Sequence, residues 1–293
     1  MTAFLLAVVV LATVAVSVLT ACAVAVRAMA SPAPAVVGPP PPGLDARAVS
    51  LPSGTGHTLA GWFVPGRDGC GAVLLLHGIR SDRRALSSRA AVLARAGMTV
   101  LALDLRAHGE SGGNAVTFGY LEARDAADAL AWLRAAAPGE RVGGLGLSLG
   151  GAALLLASRH AAVDAMVLEA VFPDLRAAIR NRVRAVAGPA HRALTPLLEA
   201  VGAGLTGLRP ARVRPIEALA AYSGPVLLLS GSLDVLTTPS ETRAMFDAAA
   251  GPKEVWMVEG AGHVDLAAAA GSDYEGRVLA FLSRHLKRIA PCA

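Results

Sequence analysis

Six short, nearly all-apolar runs recur down the chain, at Ala72–Leu76, Thr99–Asp104, Arg141–Leu147, Ala165–Glu169, Pro225–Leu229 and Glu254–Val258. Such a run has no polar face to offer water, so as a strand it must be covered on both sides. The covers are at hand. Arg84–Ala96, Leu121–Ala136, Leu149–Ser158, Ser240–Ala249 and Tyr274–Lys287 carry apolar residues at helical spacing, and Leu121–Ala136 sets Glu122, Arg124, Asp125 and Asp128 on its wet face. Strands alternating with helices build a mostly parallel, doubly wound α/β sheet. Ala46–Leu51 and Thr58–Val64, around the turn cluster Pro52–Gly56, predict an opening hairpin. The rhythm breaks between about 172 and 222, where eight arginines face few acids and Pro189, Pro196, Pro210 and Pro215 punctuate helical pieces. That insertion reads as a helical cap. No second linker divides the chain after residue 43, so 44–293 is expected to fold as one domain, and an apolar fraction of 54% is ample for its core.

Where the third run ends, Gly146-x-Ser148-x-Gly150 has the spacing of a nucleophile elbow, in which small residues flank a serine held in a strained strand-to-helix turn. A serine hydroxyl needs a base to take its proton, and the base needs a group to orient it. In an open α/β sheet those partners belong on loops at the carboxyl ends of strands. His263, in Gly260-Ala261-Gly262-His263 after the last run, fits the base, and Asp234, in Ser230-Gly231-Ser232-Leu233-Asp234 after the run before it, fits the acid. Glu169 and Asp174 are the fallback acids. No spacing of the three cysteines indicates a metal site, and no organic cofactor is needed for this chemistry. A net charge of +5, with no aromatics interleaved among the arginines, argues against nucleic acid as a partner.

The N-terminus is of another kind. From Ala3 to Val26 no residue is charged, and about 24 residues of helix reach roughly 36 Å, enough to cross a hydrocarbon core of about 30 Å. Residues 1–30 are read as a single-pass membrane anchor. A cleaved secretory signal is one alternative, and a lipoprotein signal is another, since Leu19-Thr20-Ala21-Cys22 resembles a lipobox. The anchor is preferred because no Lys or Arg precedes the run and it stays apolar past Cys22. Arg27, at its C-terminal end, places the domain on the cytoplasmic side. Residues 31–43, with Pro32, Pro34 and Pro39 to Pro42, are expected to form a semi-rigid spacer that holds the domain off the bilayer.

The order Ser148, Asp234, His263 is the triad order of the α/β-hydrolases, and the chain resembles that superfamily from about Ala46 to Leu286. Within it the sequence is similar to membrane-anchored, serine-aminopeptidase-like hydrolases, whose His-Gly and Asp-x-Arg-x-x-Gly-x-Ser motifs are matched by His77-Gly78 and by Asp104, Arg106, Gly109 and Ser111. The resemblance implies an oxyanion hole made by the backbone amides of Ile79 and Leu149. It implies hydrolysis of a small-molecule acyl ester, thioester or amide through an acyl-enzyme on Ser148. An acyltransferase of the same fold and a noncatalytic membrane-tethered ligand-binding protein are the competing readings. His77 and His108 are expected to hold loops rather than move protons, Asp104 and Arg106 to pair with each other, and Asp265 to be a surface or supporting carboxylate. The cap arginines are read first as a solvated helical face.

Overall fold

The computed structural model describes residues 1–288. Cys292 lies outside them. Helix α1 (Thr2–Ala30) is followed, besides a two-residue bridge of Ala33–Pro34 with His108–Gly109, by the eight strands of the main sheet: β1 (Arg47–Pro52), β2 (Thr58–Val64), β3 (Ala72–Leu76), β4 (Thr99–Leu103), β5 (Val142–Leu147), β6 (Met166–Glu169), β7 (Val226–Gly231) and β8 (Lys253–Val258). They form one sheet in the order β8-β7-β6-β5-β3-β4-β2-β1. Strands β3 to β8 run parallel, whereas β2 is antiparallel to both β1 and β4, as the opening hairpin requires.

Alternate residues of each central strand serve opposite faces. Leu74, Leu76, Leu101 and Leu103 pack with α3 (Glu122–Ala136) and α4 (Leu149–Ala157). Val73, Leu75, Val100 and Leu145 pack with α2 (Ser87–Arg95) and α9 (Leu266–Leu286). The helices present matching stripes, Ala123, Ala126, Leu130 and Leu133 on α3 and Tyr274, Val278, Phe281 and Leu282 on α9. Glu122 and Asp125, expected on the wet face of α3, are instead buried, because they accept from Thr117 and Gly119 and from Ser53 and Thr55. Helix α9 starts earlier than the spacing predicts because Asp265 caps it, its carboxylate accepting from the amides of Ala267 and Ala268, and it kinks at Gly271.

Between β6 and β7 lie the helices of the insertion, α5 (Leu175–Ala187), α6 (His191–Thr206) and α7 (Pro215–Ala221). Asp174 caps α5 by accepting the Ala177 amide. Helix α8 (Pro239–Ala248) follows β7 and begins in a capping box made by Thr238 and Glu241. Several cap arginines are neutralised locally, Arg176 by Glu199, Arg180 by Glu241 and Arg214 by Glu217.

Segment 31–43 is docked on the domain instead of standing free as a spacer. Ala33 and Ala35, each directly after a proline, keep the N–H groups that proline lacks and donate them to the carbonyls of Ala107 and Gly109 at 2.7 and 2.9 Å. The Val37 and Gly38 amides both donate to Glu110 at 3.1 Å. Helix α1 is drawn in by the same attachment: Val116 N–H donates to Ala30 O at 2.8 Å and Arg80 to Ala28 O at 2.7 Å. Its C-terminal half packs on α6, where Val26 faces Gly202, while residues 1–17 stand exposed.

Candidate active site

The carboxyl ends of β5, β7 and β8 deliver Ser148, Asp234 and His263 to one edge of the sheet. Ser148 ends β5 and starts α4 with φ 48° and ψ −107°, a conformation that side chains other than glycine rarely adopt. The flanking glycines make the turn possible. A Cβ on Gly146 would lie 2.5 Å from Gly151 backbone atoms, and one on Gly150 would lie 2.4 Å from Leu76 O. Strand β3 and helix α4 therefore press directly on each other. Gly150→Ala is expected to destabilise the fold by at least about 1–3 kcal/mol, because both colliding partners are backbone, and urea unfolding of the purified protein measures it.

The acid and histidine loops are laced together. Leu233 N–H donates to Ala261 O at 2.8 Å, Ser232 N–H to Val258 O at 2.9 Å and Gly260 N–H to Ser232 Oγ at 2.9 Å. No Cβ fits at Gly231, which would put it 2.2 Å from Ala261 O. This brings Asp234 Oδ2 within 2.8 Å of His263 Nδ1. The other oxygen, Oδ1, accepts the Leu236 and Thr237 amides, each at 2.8 Å, so the carboxylate is fully committed and only 2% exposed. Between Ser148 and His263 there is no hydrogen bond among the described residues. Catalytic hydrogen bonds are commonly loose before substrate arrives.

The fallback acids are occupied elsewhere. Glu169 is buried against Arg89, which donates to it at 2.7 and 3.0 Å, and it also accepts the Tyr274 hydroxyl. Arg89 reaches on to Asp265 at 2.8 Å, two residues beyond His263, so this buried cluster ties the histidine loop to the sheet. Although burial works against ionisation of Asp265, the Arg89 guanidinium and the α9 amides hold its carboxyl below the usual range. Asp104 pairs with Arg83, not with Arg106, which turns toward Asp125 at 3.9 Å. Asp104 also accepts the amides of Arg83 and Glu110, so its role is to fix two loops.

Two buried histidines support the loop that carries Ile79. His77 Nε2 accepts the Leu105 amide at 3.0 Å and its Nδ1 faces Gly78 O at 2.7 Å. His108 Nε2 accepts the Arg80 amide at 3.0 Å, and its Nδ1 faces Arg106 O at 2.8 Å. Both rings are therefore neutral with the proton on Nδ1. Burial pushes His77 down to about 3. The sign follows directly: the unfolded chain takes up this proton below about 6.5 while the folded one does not, so stability is full above that pH and declines as pH falls toward 3. A His77→Gln variant should show a shallower decline of thermal stability over that window than the unmodified protein.

The Leu149 amide opens α4 and the Ile79 amide follows the His-Gly turn; neither donates to a protein acceptor among the described residues. Both residues line, with Ser148, a cavity of about 600 Å³. The cavity's walls are almost wholly hydrocarbon and come from α5, α6 and, unforeseen from the sequence, α1. Arg182, half-buried, is the cation in its lining. Its side chain donates only to Ala178 O, at 3.5 Å, and pairs with no carboxylate among the described residues; burial lowers its pKa while Asp234 opposes that. Nothing in the pattern of the cap marks this arginine off from its seven neighbours, because only packing decides which of them turns inward.

A serine at a strained elbow, a carboxylate-bound histidine and two free amides on an eight-stranded, mostly parallel sheet define the α/β-hydrolase class. Residues 73–273 match the model of the alpha/beta hydrolase family, and the chain belongs to that family. It is 24% identical over 224 residues to the uncharacterised protein YqkD of Bacillus subtilis, covering 75% of this chain and 73% of that protein. It is 29% identical over 223 residues to the uncharacterised protein Rv2307c of Mycobacterium tuberculosis, with the same coverage of each. Among solved structures, the esterase Pf2001 of Pyrococcus furiosus superposes with a TM-score of 0.72 at 22% identity, over 87% of this chain and 99% of that one. A thermophilic esterase from Thermogutta terrifontis gives 0.61 at 20% identity, over 82% and 100%. These likenesses establish the fold.

Proposed function

We propose that the protein is a serine hydrolase that cleaves an acyl ester, thioester or amide through an acyl-enzyme on Ser148, with the ester as the first substrate class to test. The observation that carries this is the 2.8 Å contact between Asp234 and His263 Nδ1 on the edge that also holds Ser148. With Nδ1–H committed to the carboxylate, Nε2 is left as the acceptor for a proton. Ser148 Oγ then bonds to the acyl carbon as its proton passes to Nε2, and the carbonyl oxygen becomes an anion facing the amides of Ile79 and Leu149. Collapse expels the leaving alkoxide, which takes the proton from His263. Water, deprotonated by the same histidine, attacks the acyl-enzyme and releases the acid and Ser148.

No metal enters this scheme. In the same reading α1 is a retained anchor, because its C-terminal half is part of the folded domain and a cleaved segment would take a cavity wall with it. A fluorophosphonate probe tests the proposal: the full chain should be labelled, and Ser148→Ala should not. Folded protein that resists the probe would sink it. Product analysis with added alcohols or amines separates hydrolysis from acyl transfer.

A further inference from the structure

We propose that α1 forms part of the substrate site, and that the cavity takes the long hydrocarbon chain of an acyl ester entering from the bilayer. The proposal deepens the serine-hydrolase reading and rests on it. Three observations carry it.

The first is which residues face the cavity. Val18, Ala21, Cys22, Ala25 and Met29 line it, and their spacing of three and four places them on one stripe of α1. Small side chains at 21, 22 and 25 leave room between α1 and the cap helices. A simple membrane anchor needs no such stripe, and Cys22, at 8% exposure, is the helix's buried residue.

The second is the cavity's polarity. Ser148 and Arg182 contribute polar atoms to a lining that is hydrocarbon along α1 and mostly so along α6, where Glu199 is paired with Arg176 and the Thr206 hydroxyl donates to Gly202 O. A small, water-soluble ester would leave most of about 600 Å³ of apolar space unfilled. A long acyl chain fills it and gains free energy with each methylene it buries.

The third is length. Of α1, the sixteen residues from Thr2 to Ser17 stand clear of the domain, and they reach about 24 Å, while a bilayer core of about 30 Å takes about 20 residues. A spanning α1 therefore carries Val18 and Ala21 to the depth of the acyl chains while they line the cavity. The α1 wall of the cavity then lies at lipid level. Two hydroxyls in the clear portion suit that setting, since Thr13 and Ser17 each donate to the carbonyl four residues earlier at 2.9 Å and leave no free donor for lipid. At the rim, Val186 lines the cavity and is 90% exposed, an apolar contact for the same interface.

The test uses the full chain in phosphatidylcholine vesicles and compares the rates at which a hexadecyl and an ethyl fluorophosphonate label Ser148. In either reaction the Oγ–P bond forms, fluoride leaves and the serine proton passes to His263. Ala25→Trp, with Ala21→Phe as a second variant, should lower the hexadecyl-to-ethyl rate ratio by about tenfold or more, because the ring occupies the space of several methylenes. Val24→Trp, on an exposed face of α1, should keep the unmodified ratio. Both probes partition into the vesicles identically in every variant, so the change of ratio reports the cavity. An unchanged ratio in Ala25→Trp and Ala21→Phe overturns this proposal alone. Failure of both probes to label the unmodified chain overturns the serine-hydrolase reading and this proposal with it.

Discussion

Ser148→Ala should lower kcat/KM for an acyl ester by roughly 10⁴ to 10⁶, leaving the background that the oxyanion donors and binding provide. Initial rates on a chromogenic ester measure it. The loss should come without loss of folding, because the Ser148 side chain makes no hydrogen bond among the described residues and alanine occupies the same turn. Ser148→Gly separates the two effects further. It is equally inactive but relieves the left-handed strain at φ 48°, so it should unfold at a higher temperature than Ser148→Ala by an amount corresponding to about 1 kcal/mol or more. Retention of most of the activity in either variant would remove Ser148 from the mechanism. Equal melting temperatures would mean that the turn stores no strain.

Asp234→Asn should cost about 10⁴ in kcat, nearly as much, while preserving the loop. The asparagine carbonyl can keep the two amide donors of Leu236 and Thr237 that Oδ1 now accepts. Its NH₂ group then faces His263 Nδ1, which must give up its proton to accept that donor. The proton moves to Nε2, so the face turned to the serine can no longer take one. The predicted signature is a large fall in kcat with little change in KM, read from steady-state kinetics. Full activity in Asp234→Asn would take the acid role from this residue. Neither alternative carboxylate is ready to inherit it, since Glu169 is held by Arg89 and Tyr274 and Asp174 caps α5.

Much of the fold was legible because the strands of a doubly wound sheet are buried on both faces and so must be apolar along their whole length. Runs such as Ala72–Leu76 and Pro225–Leu229 therefore announce themselves. The candidate triad was legible for a related reason: each member follows a strand end, where open sheets expose their loops, and the elbow glycines are fixed by backbone contacts too close for any Cβ. Pairings across the site were not. Asp104 lies two residues from Arg106 in sequence, yet its partner is Arg83, twenty-one positions back, because the loops after β3 and β4 meet over the same edge. The Arg89–Glu169–Asp265 cluster joins three distant segments, and no local pattern signals such a union.

Helix α1 marks the boundary most clearly. The sequence by itself determined that residues 3–26 form an uncharged helix long enough for a bilayer, that six apolar runs build a mostly parallel sheet, and that Ser148, Asp234 and His263 sit on loops at one end of it. Those statements follow from hydrophobic burial and strand period, which act on neighbours in the chain. Only the tertiary structure decided that α1 leans back on α6 and closes the cavity beside Ser148. A helix that is apolar on every side has no contrast by which to show the face it will dock, so the choice of Ala21, Cys22 and Ala25 over Val24 is made by the shape of the cap they meet.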